Sequence, residues 1–377
     1  MGGDHDAFVF QPMFTYLGNK RKLLDFIEGV VLDVKRRLNK EKLAVCDGFT
    51  GSTAVARMLA AHASVLHTND AELYSYVAAQ CFLKKPAPEQ AARVEHHVRE
   101  MNATTAWVEG VVADMYAPKV TADVQPGERC FFTRENALRI DTWRRYIEER
   151  VEPELRAWTL APLLVQMSVH ANTMGHFKAF IKNKAGVGCF STARVTDNIA
   201  LAPPVWTPHE CEVVCHCEPA NQLVEHLPKL DLIYFDPPYN QHEYSAFYFL
   251  LNVVACNERP TDVCAVTGLP KARYKSPYST RRDALTSMTH LLAEALRRAT
   301  YVLVSYNDEG IIGEAAWLSL LAPYSYERIE QEYKRYTARG TKTSEGHNRV
   351  TETLYLVWAG ERGAAKRARD LFDSDSE

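Results

Sequence analysis

Apolar residues at Leu23, Ile27, Val30, Val34 and Leu38 recur every three or four positions with polar residues between them, which predicts an amphipathic helix from about Lys20. The pattern then changes. Residues 43–46 form a short apolar run suited to a buried strand, and Asp47-Gly48-Phe49-Thr50-Gly51-Ser52 ends it with two glycines. An Ala-rich stretch over 53–61 predicts a second helix, 64–67 a second strand ending at Asn69-Asp70, and a third helix follows to about Leu83. Strand, glycine turn, helix and strand make a βαβ unit, and that connection implies a parallel sheet.

Lys84-Lys85-Pro86-Ala87-Pro88 breaks this order, and a looser stretch of mixed charge and aromatic character follows. Within it, 117–129 reads as a loop and 155–181 as one or two buried helices, until Ala202-Pro203-Pro204 and Pro208 close the region. Strand patterns resume at 211–217, 230–235 and 301–305. The expected organisation is therefore a discontinuous α/β domain over 1–85 and 211–360, interrupted by a mostly helical insertion over 86–210. Residues 361–377, ending in Asp370, Asp373, Asp375 and Glu377, read as a disordered tail. The chain contains no internal repeat.

Composition narrows the function classes. With 377 residues, 46% hydrophobic and 10% aromatic, the chain can bury a large core, which excludes disorder for its bulk. Its 44 Lys and Arg against 47 Asp and Glu leave no global basic excess, so a nucleic-acid partner has to be read from local charge. Such charge exists at Lys271, Arg273, Lys275, Arg281, Arg282, Arg297 and Arg298, set against Asp283 and Glu294, with Tyr274 and Tyr278 interleaved. Tyr333-Lys334-Arg335-Tyr336 is a second such segment. Basic and aromatic residues together suit phosphate contact and stacking, so Arg273, Lys275, Arg281, Arg282, Lys334 and Arg335 are candidate nucleic-acid contacts. The insertion's Arg134, Lys178, Lys182 and Lys184 join them.

Nine irregularly spaced cysteines suggest reduced thiols, and Cys211, Val213, Cys215 and Cys217 alternate as on one strand face, so no metal site is expected. His96-His97 reads as a solvated helix face. No run approaches the roughly 18 apolar residues that span a bilayer, nor does the N-terminus resemble a signal peptide; a cytoplasmic, membrane-free protein is expected.

The most specific chemistry lies at Asp236-Pro237-Pro238-Tyr239, directly after the apolar run 230–235. Two prolines cannot donate ladder hydrogen bonds, so the strand must end there, at the carboxyl edge where open α/β sheets bind ligands. Asp236 and the Pro237 carbonyl can accept the two hydrogens of an exocyclic amine, while Tyr239 stacks on the ring that carries it. The second signal is the turn Asp47-Gly48-Phe49-Thr50-Gly51, with Asp70 about 20 residues on, the offset at which a carboxylate meets ribose hydroxyls. The turn is not G-x-G-x-x-G, and Gly18-Asn19-Lys20 lacks the rest of a P-loop. A nucleoside cofactor without phosphates fits, and S-adenosylmethionine is the obvious one.

Taken together these segments resemble the Dam-like, alpha-class DNA N6-adenine methyltransferases, and most nearly the methylases of restriction-modification systems. The likeness rests on Tyr16-Leu17-Gly18-Asn19-Lys20, Phe49-Thr50-Gly51, the insertion and Asp236 to Tyr239, in that order. Asn240, Tyr244 and Tyr248, Ser305 to Gly310, and Glu352-Thr353-Leu354-Tyr355 extend it from about Tyr16 to Trp358. It implies a Rossmann-like S-adenosylmethionine-dependent methyltransferase sheet whose insertion recognises the target, acting without metal on a flipped-out adenine of duplex DNA. Tyr16 and Lys20 would meet the cofactor, Lys20 on its carboxylate; Phe49 and Gly51 would shape the turn beneath it. Asp70 would hold the ribose, and Asp236 would face both the sulfonium and the amine, with Pro237 and Tyr239 completing the catalytic set. A separate restriction endonuclease and a monomer or weak dimer are expected. The chain departs from the family at Glu218-Pro219-Ala220-Asn221, where an Asp usually lies beside the cofactor ring. Cytosine N4, an RNA adenine or a protein glutamine remain alternative acceptors, and a non-catalytic DNA-binding subunit the alternative of another class.

Overall fold

The computed structural model describes residues 8–10, 14–334 and 349–360. Seven strands, β1 (Leu43–Asp47), β2 (Ala63–Asn69), β3 (Glu212–His216), β4 (Leu230–Phe235), β5 (Ala299–Asn307), β6 (Ser325–Lys334) and β7 (Arg349–Trp358), form one sheet in the order β3-β2-β1-β4-β5-β7-β6. The strands from β3 to β5 run parallel, and β7 enters antiparallel between β5 and β6. The chain steps outward from β1 to β3 and begins again at β4, so the direction of winding reverses between β1 and β4. Pairing of Asp47 with Tyr234 brings the exits of those two strands side by side at the reversal. A ligand crevice is expected there.

Alternation along β1 and β4 shows why both strands are buried on two faces. Val45, Leu232 and Tyr234 join one cluster with α1 (Leu24–Leu38) and α2 (Ala54–Ala60), while Cys46, Ile233 and Phe235 join the other. Asp231, at the start of β4, accepts the Ala44 amide at 2.9 Å and the Lys40 ammonium at 2.7 Å, which sets the strands in register. Cys211, Val213 and Cys215 pack on the first cluster, as their period-two spacing predicts.

Beyond α3 (Leu73–Leu83), the segment between β2 and β3 is helical: α4 (Pro88–Ala103), α5 (Val111–Met115), α6 (Arg134–Arg150), α7 (Arg156–His170) and α8 (Ala193–Thr196). It is not a detached body. Its core runs on through Tyr74 and Phe82 of α3 and into α11 (Phe249–Cys256), which follows α9 (Ala220–His226) and α10 (Tyr244–Phe247). The last helices, α12 (Ala284–Arg298) and α13 (Glu314–Leu321), cover the second face of the sheet.

Two local expectations need correction. The apolar stretch 155–181 is helical only as far as His170, because the buried Asn172 amide donates to the Cys130 and Cys189 carbonyls and fixes an irregular turn. His97 is buried rather than solvated, held by the Tyr146 hydroxyl and Glu152. The hairpin of β6 and β7 was not predicted. Arg335 and the expected tail lie outside the described residues, and the Lys334 side chain is likewise outside what can be described.

Candidate active site

The loop before α1 is clamped by tyrosines that follow β4. The Leu17 amide donates to the Tyr248 hydroxyl at 2.8 Å, and the Tyr244 hydroxyl donates to the Leu17 carbonyl at 3.1 Å. Tyr16 stacks on Tyr248, with ring centroids 4.8 Å apart and 12° between planes. Gly18, at φ 71°, turns the chain so that Lys20 enters the sheet edge almost fully buried. Tyr244 and Tyr248 thus act on the N-terminal loop as well as following the Asp-Pro-Pro-Tyr turn.

The turn after β1 is tied to both neighbouring strands. The Gly48 amide donates to the Tyr234 carbonyl at 2.9 Å and the Thr50 amide to the Asn69 carbonyl at 2.8 Å. A Cβ on Gly48 would lie 2.6 Å from the Phe235 ring, so this glycine is required by close approach. Gly51, at φ 50°, donates its amide to Asp70 at 2.8 Å, and Asp70 also accepts the Glu72 amide at 2.9 Å. Phe49 stands edge-on to Phe235 and Tyr278.

These segments line one cleft, open to solvent. Its lining includes Tyr16, Lys20, Phe49, Gly51, Asp70 and Asp236, all expected from sequence. Asp47 and Glu72 join them. Four carboxylates therefore surround a single ammonium, a lining hostile to a polyphosphate and suited to a ligand that carries positive charge. Burial pushes both Asp47 and Glu72 up to about 8, Asp47 despite the Phe49 amide and helped by the charges of Asp236 and Asp70, Glu72 with help from Asp70. The Asp47 Oδ2 atom is buried with no hydrogen-bond partner, an acceptor available to a ligand's donor. Glu218 points elsewhere: its carboxylate pairs with His226 at 3.0 Å and lies 3.8 Å from His216. Ala220 lines the cleft instead.

Asp236 leaves β4 at the mouth of this cleft. Its Oδ1 lies 2.9 Å from the Lys20 ammonium, and the side chain stays 18% exposed towards the cleft. Burial raises Asp236 to about 6, the Lys20 charge opposing and the Glu352 charge assisting. Among the described residues no donor reaches the Pro237 carbonyl. Tyr239 lies under the Lys20 ammonium, 5.2 Å from ring centroid to nitrogen, and edge-on to Tyr306. A partly exposed carboxylate, an open carbonyl and an aromatic ring converge in an arrangement suited to an amine on a flat ring.

The resemblance placed Lys20 on a cofactor carboxylate; here both anions beside it belong to the protein. Glu352 of β7 sits 3.1 Å from the ammonium, fully buried. Burial alone would lower the Lys20 pKa, but Asp236 and Glu352 together hold it well above its ordinary value. Nothing in the local pattern distinguished Glu352 from an outward-facing strand charge. Glu72, two residues beyond Asp70, could have been found from the same strand end.

The basic segment divides in two. Lys275, Arg281 and Arg282 are exposed, Arg282 against neighbouring Asp283, whereas Arg273 is bound to Glu243 at 2.6 Å and braces the loop. Its tyrosines turn inward, against the expected stacking role: Tyr274 lines the cleft, and buried Tyr278 donates to Asn221. Burial of the Tyr278 ring against Phe49 and the place of Tyr274 in the cleft wall explain the difference. In the insertion Arg134 is taken up by Glu109 and the Ala113 carbonyl, while Lys178, Lys182 and Lys184 stay exposed on one loop. That loop docks on α10, where His176 stacks on Phe247 at 4.6 Å and the Phe177 amide donates to the Phe247 carbonyl. Among the described residues no group of three His, Cys, Asp or Glu could hold a metal ion, and no helix is long and apolar enough to cross a membrane.

Residues 16–306 match the D12 class N6 adenine-specific DNA methyltransferase family. Type II methyltransferase M.CviAII of Paramecium bursaria Chlorella virus 1 is 28% identical over 349 residues, covering 91% of this chain and 98% of its own length. Type II methyltransferase M.NlaIII of Neisseria lactamica is 26% identical over 351 residues, with coverage of 91% and 98%. Type II methyltransferase M.FokI of Planomicrobium okeanokoites is 27% identical over 343 residues, 86% of this chain and 50% of its own length.

Proposed function

Because the chain belongs to the D12 class of N6 adenine-specific DNA methyltransferases, we propose that it methylates adenine N6 at a specific site in duplex DNA, with S-adenosylmethionine as donor. The observation that carries this reading is the partly exposed Asp236 carboxylate, paired with Lys20, at the mouth of a carboxylate-lined cleft at the point where the sheet reverses. The donor is a nucleoside without phosphates, bearing a sulfonium and an ammonium, and its charge matches the lining. Asp70 is placed to hold ribose hydroxyls, the Asp47 Oδ2 to accept a donor of the amino-acid end, and Tyr16 and Phe49 to wall the cleft around Gly51. S-adenosylmethionine supplies an electrophilic methyl group on its sulfonium.

The chain's own residues have to make a poor nucleophile effective. The N6 lone pair of adenine is delocalised into the ring. Asp236 and the Pro237 carbonyl, each accepting one N–H, favour a tetrahedral nitrogen whose lone pair can attack in line, while Tyr239 holds the ring. The N6–C bond forms as the S–C bond breaks, and the nitrogen then releases one proton to solvent. A base inside a duplex cannot reach this turn, so the target adenine flips out. The exposed Lys275, Arg281 and Arg282, together with Lys178, Lys182 and Lys184, would hold the phosphates in this reading, with Arg273 as a brace. In this reading residues 86–210 recognise the target, 1–85 with 211–360 perform the transfer, and the protein acts in the cytoplasm as a monomer or weak dimer beside a separate restriction endonuclease. Asp236→Ala should lower methyl incorporation into DNA at least about 10²–10³-fold, with donor binding retained in calorimetry. Unchanged incorporation refutes the assignment.

A further inference from the structure

Glu352 reaches the site only because β7 runs antiparallel beside β5, where it pairs with Asn307. Its carboxylate is fully buried, accepts the Ser305 hydroxyl on Oε1 and the Tyr333 hydroxyl on Oε2 at 3.4 Å, and lies 3.1 Å from the Lys20 ammonium. Lys20 in turn stands 2.9 Å from Asp236. A second carboxylate is costly to bury so close to the first, and the fold surrounds it with donors from two further strands to keep it there.

Resting on the reading of Asp236 given above, we infer that Glu352 is a positioning residue for methyl transfer: it holds the Lys20 ammonium and balances its charge, so that the Asp236 carboxylate keeps a net negative site towards the amine. With both carboxylates present the three groups carry one net negative charge, opposite to the positive charge that develops on nitrogen. Without Glu352, the Lys20 charge would be directed wholly at Asp236. The pair would be neutral and the acceptor weaker. The groups facing Asp236 are Lys20 from the N-terminal loop, Asp47 from β1, Glu352 from β7, Tyr333 from β6 and Tyr244 from α10, with Tyr234 and Tyr239 on its own segment. Of these, only Glu352 both raises Asp236 and holds its counter-charge.

The sign of the pH effect separates this role from mere support of the fold. Asp236 must be ionised to accept the N–H, so activity falls as pH drops through its pKa, and removing the Glu352 charge moves that fall to lower pH. The experiment measures kcat, and kcat/KM for the donor across pH 5–8, on an oligonucleotide duplex containing the site that the wild-type protein methylates. Glu352→Gln should lower kcat about 10–100-fold, with donor binding unchanged and the acid limb displaced to lower pH. Lys20→Met should displace the limb upwards. Glu352→Asp, which keeps the charge but shortens the reach, should leave the limb in place while kcat falls, and it decides the matter if the Gln variant does not fold. Wild-type kcat in either Glu352 variant, or a Gln variant whose limb stays in place or rises, overturns the inference while wild-type transfer leaves the function standing. No transfer by the wild-type protein sinks both.

Discussion

Asp47 and Glu72 are two buried carboxylates of the cleft whose pKa values are raised. Both are held near 8 by burial, well above the ordinary carboxylate range near 4, so the folded protein binds protons that the unfolded chain has already released. The sign follows from linkage. Below about pH 4 the two states are protonated alike; as pH rises towards 8 the folded state alone retains its protons, and its relative stability declines. The donor-free protein should therefore melt at progressively lower temperature from pH 5 to 8.5, and Asp47→Asn should flatten that trend. Binding of a cationic donor should release protons near neutrality, read as a dependence of calorimetric heat on the buffer's ionisation enthalpy. A melting temperature that rises across this range would show that these carboxylates are ionised in the folded protein.

At the scale of the element, the turn between β1 and α2 holds the site together more than any single contact. Gly48 and Thr50 bond to the ends of β4 and β2, and Phe49 wedges between Phe235 and Tyr278, so the turn aligns three strand exits at once. Gly48→Ala puts a methyl 2.6 Å from the Phe235 ring, immediately before Asp236. Relief has to come from moving that ring or the turn. A loss of about 1–3 kcal/mol in denaturant unfolding is expected, with weaker donor binding beside it. Wild-type stability in this variant would mean that the β4 exit yields freely, contrary to its buried packing. The N-terminal loop obeys the same logic through Tyr244 and Tyr248, which explains why aromatic residues follow the Asp-Pro-Pro-Tyr turn.

For the whole molecule, near-zero net charge and DNA binding are compatible because charge is segregated. Acid lines the cleft, while exposed lysines and arginines occupy the 271–283 segment and the 176–184 loop. Each phosphate contact releases counterions, so Lys275→Ala and Arg281→Ala should each reduce the slope of log affinity against log salt by roughly 1, with the preference for the methylated site retained. Lys178→Ala tests the insertion side in the same way. A slope unaltered by all three would place the duplex on another face.

Local chemistry was legible in the sequence where a short segment carries its own constraint. Two prolines must end a strand, two glycines must turn one, and a short unbroken apolar run suits a strand buried on both faces, so β1, β2 and β4 and the positions of Asp236, Gly51 and Asp70 could be read from neighbouring residues alone. The family resemblance added Tyr16 and Lys20, whose own neighbours give no such reason. What no local pattern contains is which distant groups become neighbours. Glu352 lies 116 positions from Asp236 in the chain, in a segment that the resemblance quoted without giving it a role, and Lys20 meets its two carboxylates only when the N-terminal loop, β4 and β7 converge. Likewise Tyr274, Tyr278 and Arg273 read as a nucleic-acid surface until packing turns the rings inward and pairs the guanidinium with Glu243. Residue types and turns follow from short-range sterics and periodicity; the pairing of buried charges depends on sheet order, which is settled by the burial of the whole chain.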